Sequence, residues 1–254
     1  MNILVYVDEG AGPQSVRLLF KSLKSLELHQ TFNLQRTNAR ELTHENWEEH
    51  ACLLIFPGGR DTPYHQLLSG EANRRIRRFV ENGGAYLGIC AGGYYASEAI
   101  EFEKGQPLEV IAQRELKFFP GTARGPVYGL NVFKYEDESG SRAAQLNWID
   151  AGASRPLSVY YNGGCEFVDA SERENTRVIA RYADLPDSPA AIVECSVGKG
   201  KAVLSGVHPE YSPQHIDHLP SIPSHVLNPL KDDERDRDDL FASLIRLSLA
   251  HVVK

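Results

Sequence analysis

Short apolar runs of strand length alternate with segments of helical periodicity through the first hundred residues, and this alternation restricts the fold more than any other feature. Ile3–Val7 reads as a strand, and Ser15–Leu26 as a helix with Val16, Leu19, Phe20 and Leu23 on one side. Thr31–Gln35 reads as a second strand and Thr43–His50 as a short helix opened by a threonine cap. Leu53–Phe56 reads as a buried strand closed by Pro57-Gly58-Gly59, and Gln66–Glu81 as a helix stopped by Asn82-Gly83-Gly84. Ala85–Ile89 is another buried strand, with Gly92–Ile100 the helix after it. Strands without a polar face, set between helices, predict an α/β fold: a doubly wound, mostly parallel sheet flanked by helices.

The stretch from Glu101 to Val193 breaks this rhythm. It is rich in Gly, Pro and polar residues, with β-like pieces around Val127–Phe133 and Leu157–Tyr160. These read as β elements added to the sheet within a single domain over residues 1–254, and no internal repeat is visible. Ala190–Ser196 and Lys201–Val207 then form a hairpin across Val197-Gly198-Lys199-Gly200. The prolines from Pro209 to Pro229 predict an irregular loop over Pro209–Leu230, holding His215 and His218. A mixed-charge stretch, Lys231–Asp239, leads into a last helix with Leu240, Leu244 and Leu247 on one face.

Composition narrows the function classes. With 27 basic and 34 acidic residues the net charge is −7, so charge balance gives no support to a nucleic-acid partner. The cluster Arg74, Arg75, Arg77 and Arg78 reads as the solvated side of a helix in preference to a phosphate site. Cys52, Cys90, Cys165 and Cys195 lie far apart, which argues against a disulfide framework or a zinc site, and no cofactor motif stands out. The start, MNILVYVDEG, reads as a first strand and not a signal peptide. No apolar run approaches the ~18 residues of a membrane span, so no membrane association and a cytoplasmic location are expected.

Gly88-Ile89-Cys90-Ala91-Gly92-Gly93 follows a buried strand and opens a helix. The G-x-nucleophile-x-G pattern puts the reactive atom on a sharp strand-to-helix turn, where flanking side chains would clash. A helix N-terminus favours the thiolate form of a cysteine, and the Ala91 N–H points where an oxyanion would develop. Most free cysteines are small buried hydrophobes, but here the setting reverses that expectation. Gly58 and Gly59, just past the end of another strand, either present N–H groups to the same oxyanion or form a simple turn; both readings stand.

Val207-His208-Pro209-Glu210 ends a strand expected in the same sheet. Pro209 keeps His208 extended, and in an extended segment residues two apart face the same way. Glu210 can then accept the His208 Nδ1–H and leave Nε2 to take a proton from Cys90. Nucleophile, base and orienter follow in the order Cys90, His208, Glu210.

These motifs resemble the class I glutamine amidotransferase-like superfamily, whose fold is flavodoxin-like. Gly88–Gly92 resembles its nucleophile turn, His208-Pro209-Glu210 its H-P-E and Pro57-Gly58-Gly59 its oxyanion loop. A closer likeness is to the N-terminal domain of eukaryotic-type biotin–protein ligase, which also occurs as a stand-alone protein. Gly88-Ile89-Cys90-Ala91-Gly92-Gly93-Tyr94-Tyr95-Ala96 and Tyr160-Tyr161-Asn162-Gly163-Gly164 look like that group's two signatures. The second suggests that Tyr161 and Asn162 line the pocket; an Asn-Gly turn between strands accounts for it equally well. Glutamine-using members carry C-x-G-x-Q, and here Tyr94 stands at the Gln position. The glycine/arginine-rich ATP-and-biotin loop of the ligase is absent from the sequence, so biotin ligation by this chain alone is not expected.

The resemblance implies a Cys-His-Glu amidotransferase-like enzyme that hydrolyses or transfers from an amide through a thioester, with peptide cleavage as a variant, and without metal or cofactor. With no synthase region in the sequence, transfer of ammonia would need a protein partner. The other expectation is an idle small-molecule-binding or regulatory module with the same pocket. Cys90 reactivity separates the two.

Overall fold

The fold is given by a computed structural model, which describes residues 1–134, 138, 140–150, 152–217 and 222–250. Strand β1 (Asn2–Tyr6) leads to helix α1 (Pro13–Ser25), which opens with proline at its first position, where no intrahelical N–H is needed. Then come β2 (Asn33–Thr37), α2 (Ala39–His44), β3 (Ala51–Phe56), α3 (Asp61–Leu68), α4 (Glu71–Glu81), β4 (Ala85–Ile89) and α5 (Ala91–Tyr95). The middle of the chain supplies β5 (Ser97–Phe102), β6 (Val110–Gln113), β7 (Phe119–Gly125), β8 (Arg142–Asp150), β9 (Ala153–Tyr161), β10 (Glu166–Phe167) and β11 (Thr176–Tyr182). The hairpin of β12 (Ala190–Val197) and β13 (Gly200–Ser205) follows, then α6 (Pro213–Ile216), α7 (Ser224–Asp232) and α8 (Glu234–Leu249).

The main sheet has nine strands in the order β2-β1-β3-β4-β13-β12-β11-β8-β9. From β2 to β13 the neighbours are parallel; from β13 to β9 they are antiparallel. Successive side chains of the parallel strands divide between two cores. Ile3, Val5, Leu53, Ile55, Leu87 and Ile89 meet α1 and α8 on one face. Leu4, Tyr6, Leu54, Phe56 and Tyr86 meet Tyr64, Ile76 and Phe79 of α3 and α4 on the other. Burial on both faces is why these strands carry no polar alternation.

A second sheet, β10-β7-β5-β6, has four strands, and its Ile100, Phe102, Phe119 and Phe167 share the core of α3 and α4. A third cluster, Leu18, Tyr160, Tyr211, Ile216, Val226 and Leu230, lies under α6 and α7.

The structure corrects five expectations. The helix expected at 43–50 runs from Ala39 to His44, because Asn38 and Glu41 form a capping box (3.0 and 3.3 Å) and Thr43 lies inside it. The helix expected over 66–81 is two, broken at Gly70, whose φ is +80°. The helix expected at 92–100 stops at Tyr95, and the rest is β5, with Ile100 and Phe102 buried at strand spacing. No strand forms at 127–133, where Gly129 and Asn131 have φ of +116° and +58°. The expected loop after Pro209 contains α6, with Pro213 at its start, and α7, with Pro223 as its cap. His215 therefore sits in α6; His218 lies outside the described residues.

Arg74 and Arg78 of the arginine cluster are exposed as expected, whereas the Arg75 side chain is only 13% exposed; Arg74 pairs with Glu71, Arg75 with Glu48 and Arg77 with Glu81.

Candidate active site

Cys90 occupies the junction of β4 and α5 with φ +50° and ψ −106°, a backbone state that costs a residue other than glycine about 1–3 kcal/mol. Its N–H is fixed to the Ser205 carbonyl at 2.7 Å, and its own carbonyl accepts the Gly93 and Tyr94 N–H groups at 2.9 and 3.0 Å. A Cβ on Gly92 would stand 2.2 Å from the Phe56 carbonyl, and one on Gly88 would stand 2.4 Å from that of Gly92. The turn therefore admits no side chain on either flank.

His208 leaves the end of β13, its N–H donated to the Tyr160 carbonyl at 2.8 Å. Its Nδ1–H donates to Glu210 Oε1 at 2.8 Å. Tyr160 and Tyr211 stack at 4.4 Å beside the imidazole, and the Tyr211 hydroxyl meets Ser15 at 3.0 Å. Behind the ring lies Gly58, where a Cβ would come within 2.5 Å of His208 Cε1. Ser22 donates to the Glu210 carbonyl at 2.7 Å, and the buried Arg237 guanidinium donates to that of Pro209.

Cys90 and His208 are 7% and 4% exposed, and Glu210 is fully buried. Burial disfavours an imidazolium, but the Glu210 carboxylate and the adjacent Cys90 sulfur outweigh it, by charge and by hydrogen bond, and push His208 up to about 10. The Cys90 Sγ also faces the Asn162 carbonyl at 3.9 Å.

Cys90 and His208 open onto a cleft of about 360 Å³. Gly59, Ala91, Tyr94 and Asn162 line it as well. The antiparallel bridge between Ala11 and Gly59 uses the N–H groups of Gly12 and Arg60, not that of Gly59. Ala91 lies in the first turn of α5, whose leading N–H groups have no intrahelical partner. Tyr94 donates to the Gly163 carbonyl at 3.2 Å.

Two sequence-predicted residues lie elsewhere. Gly58 packs behind His208 instead of lining the cleft. Tyr161 turns away from it, its hydroxyl accepting the Val127 N–H at 2.9 Å and donating to the Gly164 carbonyl at 3.0 Å. Tyr160 takes the expected place, because neighbours on a strand face opposite sides.

The sequence reading missed several groups. Glu138 lines the cleft, with Oε1 accepting from Gln14 at 3.1 Å and Oε2 from Asn162 Nδ2 at 2.9 Å and from the Tyr160 hydroxyl. Burial, then the Glu138 charge, hold the Tyr160 hydroxyl far above the ordinary phenol range, so it is the donor. Asp61 is paired with Arg114 at 2.5 and 2.9 Å, although burial still raises its carboxyl against that partner. Nothing local marks Glu138 or Arg114. Tyr211 could have been found as the neighbour of Glu210.

Among the described residues no group of three or more His, Cys, Asp and Glu is placed to hold a metal ion, and no helix is long and apolar enough to cross a membrane.

Comparison with known proteins fixes the relationship. Residues 1–253 match the family described as "Biotin-protein ligase, N terminal". The chain is 39% identical over 254 residues to an uncharacterized protein of Chlamydia muridarum, covering 99% of this chain and 96% of that one. It is 36% identical over 251 residues to a biotin–protein ligase of Schizosaccharomyces pombe, covering 97% of this chain but 38% of the ligase. A crystal structure of glutamine amidotransferase superposes with a TM-score of 0.60 at 20% identity, covering 97% of this chain and 99% of that one. PurLQS from Thermotoga maritima gives 0.57 at 16% identity, covering 97% and 99%. At those identities the likeness is one of fold. By its sequence match the chain belongs to the biotin–protein ligase N-terminal family, built on a glutamine amidotransferase-like fold.

Proposed function

We propose that the protein is a cysteine-nucleophile amide hydrolase or amidotransferase in which Cys90, His208 and Glu210 act as a triad. The observation that carries this reading is the strained Cys90 set beside a buried imidazole whose Nδ1 is held by Glu210 at 2.8 Å. The Cys90 thiolate attacks the amide carbonyl carbon, and the N–H groups of Gly59 and Ala91 receive the oxyanion. The imidazolium gives its proton to the departing nitrogen, the C–N bond breaks and a thioester remains. Neutral His208 then takes a proton from water, the hydroxide attacks the thioester, the C–S bond breaks and the acid leaves. Glu210 holds the imidazole's orientation throughout.

Tyr94 stands where glutamine-using relatives carry Gln, and its hydroxyl is committed to Gly163, so amides beyond glutamine belong in the substrate search. Ammonia transfer would draw on a partner protein. A reducing cytoplasm suits the four free, buried cysteines.

A second reading, an idle small-molecule-binding or regulatory module, is favoured by one observation: a similar unit makes up only 38% of a longer ligase. The pH dependence of Cys90 alkylation, followed by mass spectrometry for wild type and His208→Ala, separates the two. Rapid labelling well below pH 8 that slows in the variant supports the enzyme. Labelling like an ordinary thiol, or none in the native state, supports the module.

A further inference from the structure

Glu138 has no part in the chemistry above, yet it is the most elaborately held carboxylate in the cleft. Gln14 from α1, Tyr160 from β9 and Asn162 from the turn after β9 all donate to it. All three donors are uncharged. They fix the carboxylate in place without bringing a countercharge to it.

The other two acids at the site are matched: Asp61 by Arg114, and Glu210 by His208. Lys134 also lines the cleft, but among the described residues no cation lies within ion-pairing distance of Glu138. Three donors leave one of the carboxylate's four lone-pair positions open, on Oε1, the oxygen that accepts only from Gln14.

Asn162 links this anion to the nucleophile. Its carbonyl lies 3.9 Å from Cys90 Sγ while its side chain holds Glu138 Oε2 at 2.9 Å. One residue, Asn162, thus bridges the two functional groups. A small molecule can place a carbonyl on Cys90 and a second group on Glu138 at once. An unmatched carboxylate in a recess repels anions and attracts cations.

We propose that Glu138 reads a positively charged nitrogen, so that the substrate is a small amide bearing an ammonium or guanidinium group. This inference rests on the triad reading and deepens it.

Three methanethiosulfonates of comparable length test it: aminoethyl (cationic), sulfonatoethyl (anionic) and propyl (neutral). Each transfers its thioalkyl group to Cys90 with release of sulfinate. Peptide mapping confines the rates to Cys90, and dividing by the neutral reagent's rate on the same protein removes general changes in reactivity. The cation-to-anion ratio should be about tenfold higher in wild type than in Glu138→Gln, and lower again in Glu138→Lys. Equal ratios in the three proteins would overturn the proposal while leaving the triad intact, provided that His208→Ala still slows the neutral reagent. Should wild-type Cys90 react with the neutral reagent like an ordinary thiol, unaffected by His208→Ala, the triad reading falls and this one with it.

Discussion

The parallel and antiparallel halves of the main sheet contribute to the same cleft in different ways. The parallel half, β2 to β13, carries Gly58, Cys90 and His208 at or just beyond the carboxyl ends of β3, β4 and β13. Each is held by a contact that leaves no slack: no side chain fits at Gly58, Gly88 or Gly92. The antiparallel half reaches the cleft through the end of β9, with Tyr160 and Asn162, which hold the Glu138 carboxylate. Its contribution is a set of hydrogen bonds spanning residues far apart in sequence. One half fixes the proposed nucleophile and base; the other lines the cleft in front of them. The β12–β13 hairpin joins the two, so His208 belongs to the first while its N–H is tied to Tyr160 of the second.

The largest expected effect falls on the parallel half. If His208 activates Cys90 as proposed, His208→Ala should slow alkylation at pH 7 by about 10²-fold or more. An unchanged rate would mean that the reactive atoms are not fixed as a pair, and the contrast between the halves would lose its basis.

Glu210→Gln is next. Burial alone would lower His208, so with the carboxylate gone its titration should fall several units from about 10, as read by imidazole NMR. The stability consequence has a definite sign. A histidine raised above its ordinary value of 6.5 contributes stability that is complete below that pH and lost as pH rises through about 10. Wild type should therefore exceed Glu210→Gln in denaturant stability most at pH 6, with the gap shrinking towards pH 10. A gap that widens with pH would show that Glu210 does not stabilise the imidazolium.

The same division explains what the sequence disclosed. Cys90, His208 and Glu210 could be read because the parallel half encodes its site locally, in a glycine-flanked turn and a residue-before-proline geometry. The strand-helix alternation was equally plain, apart from breaks that depend on single residues such as Asn38 and Gly70. Glu138 could not be read, since its partners Gln14 and Asn162 are 124 and 24 residues away. The second sheet was hidden for a like reason: β5 continues without a turn signal from α5, and only pairing with β6 and β7 makes it a strand. Tyr160 lines the cleft and Tyr161 does not, because on a strand one residue changes the face.

Cys90→Gly sharpens the claim that the parallel half holds strain. Glycine adopts φ +50°, ψ −106° freely, so relief of that strain should raise stability by about 1–3 kcal/mol, less the loss of the buried side chain. Chemical denaturation of Cys90→Gly against Cys90→Ala isolates the backbone effect, because neither retains sulfur. Glycine more stable than alanine is the expected order; the reverse would place no strain at the turn.

Tyr161→Phe probes the other half, with the smallest expected change in Cys90 labelling. The lost hydroxyl leaves the Val127 N–H and the Gly164 carbonyl each short of a partner, at a cost of about 1–3 kcal/mol. Because the ring lies outside the cleft, the cost should appear in the denaturation midpoint, and the His208-dependent labelling of Cys90 should change far less than in His208→Ala. Tyr160→Phe, one residue earlier, should do the opposite. It removes a donor from Glu138 and should change the charge preference of Cys90 labelling more than it changes global stability. If both variants behaved alike, β9 would act as a rigid wall and its two faces would not have separate roles.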